Sequence, residues 1–193
     1  MKINVIVGAT RPGNITERVA KWVVTNANSK EGLEAELVQL SSFDLPFLYE
    51  AGSPRYNPSR VLKDNEQAWL NKLAEADGYV FVSPEYNRTM PGALKNAIDF
   101  IDFQLDRKPV ALVTHGSTGG ALAAENIRAA LRGMAVANVA EAVTLIGASE
   151  LLDADGALAE AALSQPYGPQ FMLDNLLGSL AWWTRTLKAG REA

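Results

Sequence analysis

The sequence predicts an α/β domain, a doubly wound five-stranded parallel sheet with helices on both faces. Three observations predict it. Five apolar runs of strand length, many of them β-branched, fall near residues 3–7, 34–40, 79–82, 108–114 and 141–146. Stretches of helical periodicity separate them, and alternating strands and helices build parallel sheets covered on both faces. The first, third and fourth runs each end in a polar loop bearing Gly or Pro, just before a helix. Ligands of open parallel sheets bind at that edge; in the common five-stranded order they bind where the first and third strands part.

Residues 3–7 (INVIV) stop at Gly8. Pro12 and Gly13 hold the following loop out of helix. Asn14, with Glu17 three residues later, has the spacing of a capping box. The helix runs to about residue 29, with Ile15, Val19, Trp22 and Val23 on one face. Gly32 precedes the second strand, where Leu33, Ala35, Leu37 and Gln39 alternate with polar neighbours. Residues 41–60 form a long connection interrupted by Pro46, Gly52, Pro54 and Pro58. Its length marks it for a site or an interface, and Phe43 and Leu45 read as core packing. Trp69, Leu70 and Leu73 anchor a helix over 61–76. Pro91 suits the first turn of a helix over 92–100. The fourth strand leads through HGSTGG into a helix over 120–132. The fifth strand lies at 141–146 or slightly earlier. Residues 153–156 turn, 164–169 interrupt again, and 170–188 form an amphipathic helix with Leu173, Leu176, Leu177, Leu180 and Trp183 at helical spacing. No repeat or long linker divides the chain, so one domain over 1–193 is expected.

A chain of 193 residues, 48% apolar and 21% charged, can bury a substantial globular core. The net charge of −4, with no Lys/Arg cluster, argues against a nucleic-acid partner. It leaves room for one bound anion, because a local site can oppose the global charge. The absence of cysteine excludes disulfides, thiolate metal sites, iron–sulfur clusters and cysteine nucleophiles. A single histidine, His115, argues against a structural zinc site, and no metal is expected. Redox chemistry would therefore need a bound organic cofactor. No apolar stretch reaches membrane-spanning length, and Lys2 leads straight into a strand rather than a secretory signal. The expectation is a cytoplasmic protein without membrane contact.

Three loops can wall one pocket. The first, residues 8–16 (GATRPGNIT), offers hydroxyls at Thr10 and Thr16, the Arg11 guanidinium, and the free amides of a helix N-terminus. It lacks both the glycine spacing of a dinucleotide fingerprint and the Gly-Lys-Ser/Thr ending of a P-loop. A terminal phosphate therefore suits it better than a bridging pyrophosphate; the other reading is an ordinary loop with a solvent-facing arginine. In the second loop, residues 83–90 (SPEYNRTM), Pro84 and Pro91 restrict the backbone. Tyr86 can pack near a planar ring, Asn87 can donate or cap local backbone, and Arg88 is available to an anionic substrate or cofactor tail. Glu85 is either a ligand contact or a surface or helix-capping carboxylate. The third loop, residues 115–120 (HGSTGG), permits close approach through its glycines. Gly116, Ser117 and Gly119 can bring amides to the pyrimidine edge of a flavin, and His115 either bonds the ring or satisfies local backbone. A hydrolase reading is weak: the G-x-S-x-G elbow fails because His115 replaces its first glycine, and with the only histidine two residues from Ser117 an esterase would need a nonstandard base.

Nearly the whole chain resembles the NADPH-dependent FMN reductase family of flavodoxin-like quinone, azo and chromate reductases. The marks are GATRPGNITERVAKWV, DLPFL, SPEYNRTMPGALKNAIDF and VTHGSTGGALAAENIRAALRGM, of which the third is the most specific. The resemblance implies a flavodoxin-like fold, FMN as cofactor and NADPH or NADH as electron donor. The first loop is then the FMN phosphate cradle, carried by Thr10, Arg11, Asn14, Ile15 and Thr16. Pro84, Glu85, Tyr86 and Asn87 form the flavin-ring loop, and His115, Gly116, Ser117 and Gly119 touch the other ring edge. The implied activity is a ping-pong cycle: a hydride passes from the nicotinamide to flavin N5, the nicotinamide leaves, and a quinone or similar small-molecule electron acceptor takes the electrons. No side chain is assigned as catalytic. The resemblance further implies a homodimer or homotetramer, with the GALKNAIDF helix and residues 44–48 at the interface. Two positions depart from the pattern. Ala9 stands where serine is common, and His115 stands near a position that is often aromatic. The alternatives are a flavodoxin-like electron-transfer protein or an FMN-binding regulatory protein; Arg88 and the SPEYNRTMPGALKNAIDF segment favour the enzyme over a carrier.

Overall fold

The computed structural model describes residues 1–57 and 59–193. Pro58, read above as one interruption of the long connection, lies outside the described residues. The elements in chain order are β1 (Lys2–Val7), α1 (Thr16–Asn28), β2 (Glu34–Gln39), α2 (Asp64–Ala74), β3 (Gly78–Pro84), α3 (Gly92–Asp99), β4 (Pro109–His115), α4 (Ala121–Leu131), β5 (Ala137–Leu145), α5 (Ala148–Leu151), α6 (Glu160–Leu163) and α7 (Pro169–Glu192). The five strands are parallel in the order β2-β1-β3-β4-β5. This is the flavodoxin-like doubly wound arrangement, with its switch point between β1 and β3.

The strand period of two explains the two cores. Val5 and Val7 face one side of the sheet, packing with Val19 and Val23 of α1 and Leu173, Leu176 and Leu180 of α7. Ile6 faces the other side, with Trp69 and Leu73 of α2, Leu94 and Ile98 of α3, and Ile127 and Leu131 of α4. Each such fully buried side chain contributes roughly 1.5–3 kcal/mol. The central strands β3 and β4 are buried along their whole length, so their sequences are near-continuous apolar runs rather than alternating ones.

Several boundaries differ from the sequence reading for local reasons. Residues 61–63 stay outside α2 because the Lys63 N–H donates to Glu66 Oε2 (2.9 Å), a side-chain cap that starts the helix there. In β2, Val38 is buried and Leu37 only half-buried, because Val38 turns toward the α2 side of the sheet. The Asn14–Glu17 capping box is half formed: Asn14 Oδ1 accepts from the Glu17 N–H (3.3 Å), while the Glu17 carboxylate pairs with Lys21 (3.3 Å). The fifth strand begins earlier, at Ala137, and the last helix spans Pro169–Glu192. Phe43 and Leu45 do pack against the core, Phe43 edge-on to Trp69.

Two features bring the functional loops together. Backbone bonds stitch the strand ends: Gly8 N–H to Val82 O (2.8 Å), Glu85 N–H to His115 O (2.8 Å) and Gly116 N–H to Leu145 O (3.2 Å). The long connection is also clasped to the region after α3. Arg60 pairs with Glu50 (3.1 Å) and Asp102, and Arg55 pairs with Asp106 (2.8 Å). Among the described residues, no helix is long and apolar enough to cross a membrane.

Candidate functional site

The loops after β1, β3 and β4 converge on a cavity of about 250 Å³ lined by Arg11, Pro12, Gly13, Asn14, Ile15, Thr16, Pro84, Tyr86 and His115. Seven of these are residues the sequence singled out; Pro12 and Gly13 are additions. A second hollow of about 260 Å³ shares Ile15 and His115 and adds Gly116 and Ser117. Its far wall is Gly147, Ala148, Ser149 and Glu150, which the sequence reading missed. The available signal was Gly147 directly after the fifth strand, at the same sheet edge. Thr10 faces elsewhere, into a hollow of about 320 Å³ with Ser41, Asp44, Leu45 and Asn96. Glu85, Asn87 and Gly119 line none of these three spaces.

The α1 N-terminus is open. The N–H groups of Gly13, Ile15 and Thr16 meet no acceptor among the described residues. Unpaired amides at a helix start, with the positive end of the helix dipole, favour an oxyanion. Arg11 is exposed beside them, its guanidinium carbon 5.2 Å from the Tyr86 ring centre. That stacking joins the first and second loops. Ala9 is buried, so nothing at that position reaches the cavity. Asn14 Nδ2 donates to Arg11 O (2.8 Å), which fixes the loop's curvature.

His115 is only 9% exposed, and its Nε2 lies 2.9 Å from Thr16 Oγ1. Burial lowers its pKa to about 4, so the ring is neutral near pH 7. In one tautomer Nε2 donates to the threonine oxygen and frees the hydroxyl proton; in the other Nε2 accepts that proton. Thr16 itself is fully buried. His115 therefore joins the first turn of α1 to the end of β4.

The third loop uses more of its backbone internally than its glycine content implies. The Gly116 amide bonds Leu145 O (3.2 Å), and the Gly119 amide bonds Gly116 O (3.1 Å). The amides of Ser117 and Thr118 have no acceptor among the described residues, and they are the ones available to a ligand. Glu85 caps α4. Its carboxylate accepts from the amides of Leu122 (3.0 Å) and Ala123 (3.3 Å) and from Thr118 Oγ1 (3.3 Å). Of the two readings of Glu85, its side chain adopts the capping one, and it locks the second loop to the third. No cluster of metal-ligating side chains occurs among the described residues.

Fold and loops together define a flavodoxin-like protein with an open helix N-terminus at the first loop and two further loops beside it. Residues 1–150 match the family profile of NADPH-dependent FMN reductases, and the chain belongs to that family. It is 34% identical over 146 residues to an NAD(P)H-dependent FMN reductase of Schizosaccharomyces pombe, covering 75% of this chain and 73% of that one. It is 34% identical over 167 residues to an NADPH azoreductase of Bacillus sp., covering 84% of each. Among solved structures, FerB of Paracoccus denitrificans, a flavoenzyme NAD(P)H:(acceptor) oxidoreductase, superposes with a TM-score of 0.72 at 23% identity, over 95% of this chain and 97% of that one. At that identity the superposition speaks for the fold alone.

Proposed function

We propose that the protein binds FMN and uses it to carry electrons from NADPH or NADH to a quinone or a similar small acceptor. One observation carries this reading. Three loops from separate strand ends meet at a cavity whose floor is an unpaired helix N-terminus and whose rim is an arginine and a tyrosine. The residues fit the cofactor. Arg11 and the amides of Gly13, Ile15 and Thr16 would hold the phosphate. Pro84 and Tyr86 would border the ring, and the amides of Ser117 and Thr118 would meet its polar edge. Bound there, FMN supplies the hydride chemistry, which no side chain of this protein can supply. The protein's part is to bind, orient and exclude water, with His115 and Pro84 as buried walls. The exposed Phe47, within residues 44–48 expected at a subunit interface, and the exposed Tyr49 just after them support a homodimer or homotetramer.

Purified protein should carry or take up FMN and show the yellow flavin spectrum. Anaerobic NADPH or NADH should bleach it promptly, and a quinone should restore it. Yellow protein that neither nucleotide bleaches would instead identify an electron carrier. Arg11→Ala should weaken FMN binding about tenfold while leaving riboflavin, which lacks the phosphate, nearly unchanged. Equal affinity of wild type and variant for FMN would remove Arg11 from the cradle.

A further inference from the structure

The turn at the tip of the second loop holds a strained arginine. Tyr86 and Thr89 exchange both backbone hydrogen bonds (2.9 and 3.1 Å), closing a two-residue hairpin turn. Its central residues, Asn87 and Arg88, both have positive φ, +49° and +67°. Asparagine tolerates that conformation; glycine is the residue the second position favours, and an arginine there is strained. Among the described residues, the Arg88 side chain makes no contact that offsets the strain. The Arg88 side chain is 69% exposed, and its nearest anion, Glu85, is 3.9 Å away. Glu85 is already satisfied by two amides and a hydroxyl, and an exposed pair at that distance contributes little. Strain of this kind, beside a cavity, points to a role outside the fold's own stability.

The surroundings indicate the role. Tyr86, two residues before Arg88, lines the cavity and carries Arg11 on its ring. The first and second loops thus present two guanidinium groups near Tyr86 on a chain whose net charge is −4. Arg11 lies beside the open α1 N-terminus and is proposed above to hold the phosphate. Arg88 instead lies 3.9 Å from Glu85, whose carboxylate also holds Thr118.

We propose that Arg88 is a specificity-determining residue that receives the anionic part of the nicotinamide donor, either its pyrophosphate or its 2′-phosphate. The inference rests on the oxidoreductase reading above and deepens it. It requires that the residue be worse for the turn than glycine and better for the nucleotide.

The test compares wild type with Arg88→Gly and Arg88→Lys. The probes are 2′,5′-ADP and 5′-ADP in binding titrations, and NADPH and NADH in steady-state assays. Arg88→Gly should raise the thermal midpoint by about 2 °C, because the turn is relieved. It should raise KM for the donor about tenfold with kcat within about twofold, and weaken the matching ADP by a similar factor. FMN affinity should stay within about twofold, and Arg88→Lys should recover part of the loss. A loss confined to NADPH and 2′,5′-ADP assigns the 2′-phosphate; equal loss for both nucleotides assigns the pyrophosphate. Unchanged KM and unchanged ADP affinity in Arg88→Gly would overturn the proposal, as would a joint fall in thermal midpoint and FMN affinity. The titrations with the two ADP probes need no electron transfer. A wild-type protein that binds them through Arg88 but fails to reduce flavin would sink the oxidoreductase reading, and with it the donor role, while leaving Arg88 as a nucleotide-anion site.

Discussion

Two helix N-termini meet at one edge of the sheet and are treated in opposite ways. At α4 the chain supplies its own anion: the Glu85 carboxylate, 7% exposed, takes the amides of Leu122 and Ala123. At α1 no carboxylate arrives. Asn14 caps with a neutral amide oxygen, Glu17 turns to Lys21, and the Gly13, Ile15 and Thr16 amides stay open beside Arg11. The two helices present the same kind of dipole, so the difference lies in what the loops bring. One N-terminus is closed by the chain's own carboxylate and the other is left open.

Packing separates the two loops most sharply. Gly120 precedes α4 at φ +82°, and a Cβ there would lie 2.8 Å from both His115 N and Thr114 Cβ. Gly13, in the α1 loop, has φ +65° with nothing within 4 Å of the same position. Gly120→Ala should cost about 3 kcal/mol or more, from strain and overlap together. Gly13→Ala should cost only about 1 kcal/mol, for the left-handed backbone. Urea unfolding at unchanged slope measures both; comparable losses would erase the contrast between a closed loop and an open one.

The next largest effect is at His115, which ties the two regions through Thr16. Its pKa of about 4 in the folded protein lies below the ordinary value of 6.5. Between those values the unfolded chain binds a proton that the folded one refuses. Stability should therefore fall as pH drops below about 6.5 and level off below about 4, by a total of about 3 kcal/mol. Unfolding of wild type and His115→Gln at pH 7, 5.5 and 4 isolates this share from the carboxylates. Parallel pH profiles would show that the imidazole is not held neutral by the fold.

Glu85 comes third. Glu85→Ala should cost about 2 kcal/mol by unpairing two amides, and Glu85→Gln about half that, since an acceptor remains. The alanine variant should also gain more thermal stability from sulfate than wild type does, because its α4 N-terminus would then resemble that of α1. An identical sulfate response would mean that the carboxylate is not what closes α4.

The fold was legible because β-branched runs and helical periods repeat over whole elements, as in residues 3–7 and in the leucines of α7. The four-residue helices α5 and α6 hold barely one turn each, too little for a period to register. The loops were legible as a set and less so residue by residue. Arg11, Asn14, Ile15 and Thr16 come from one stretch and share one wall, and Pro84, Tyr86 and His115 join them at the strand ends. Thr10 points to the neighbouring hollow because side-chain direction in a loop has no period. The Gly116 amide is consumed by Leu145, which only the β4–β5 register reveals, and the Gly119 amide by a turn onto Gly116 O. The Thr16–His115 bond spans 99 positions of sequence, and no local pattern marks it.

The smallest effect tests the contrast most directly. Asn14→Ala removes a cap and should cost about 1 kcal/mol. Asn14→Asp keeps the acceptor toward Glu17, and its charge suits the helix dipole, so stability should stay within about 0.5 kcal/mol of wild type. It loses only the Nδ2 bond to Arg11 O. The same substitution places a carboxylate at the α1 N-terminus, which is what Glu85 does at α4. FMN affinity should then fall about tenfold through repulsion of its phosphate, while riboflavin affinity holds. A folded Asn14→Asp protein that binds FMN as wild type does would show that the open N-terminus of α1 is not where the phosphate sits.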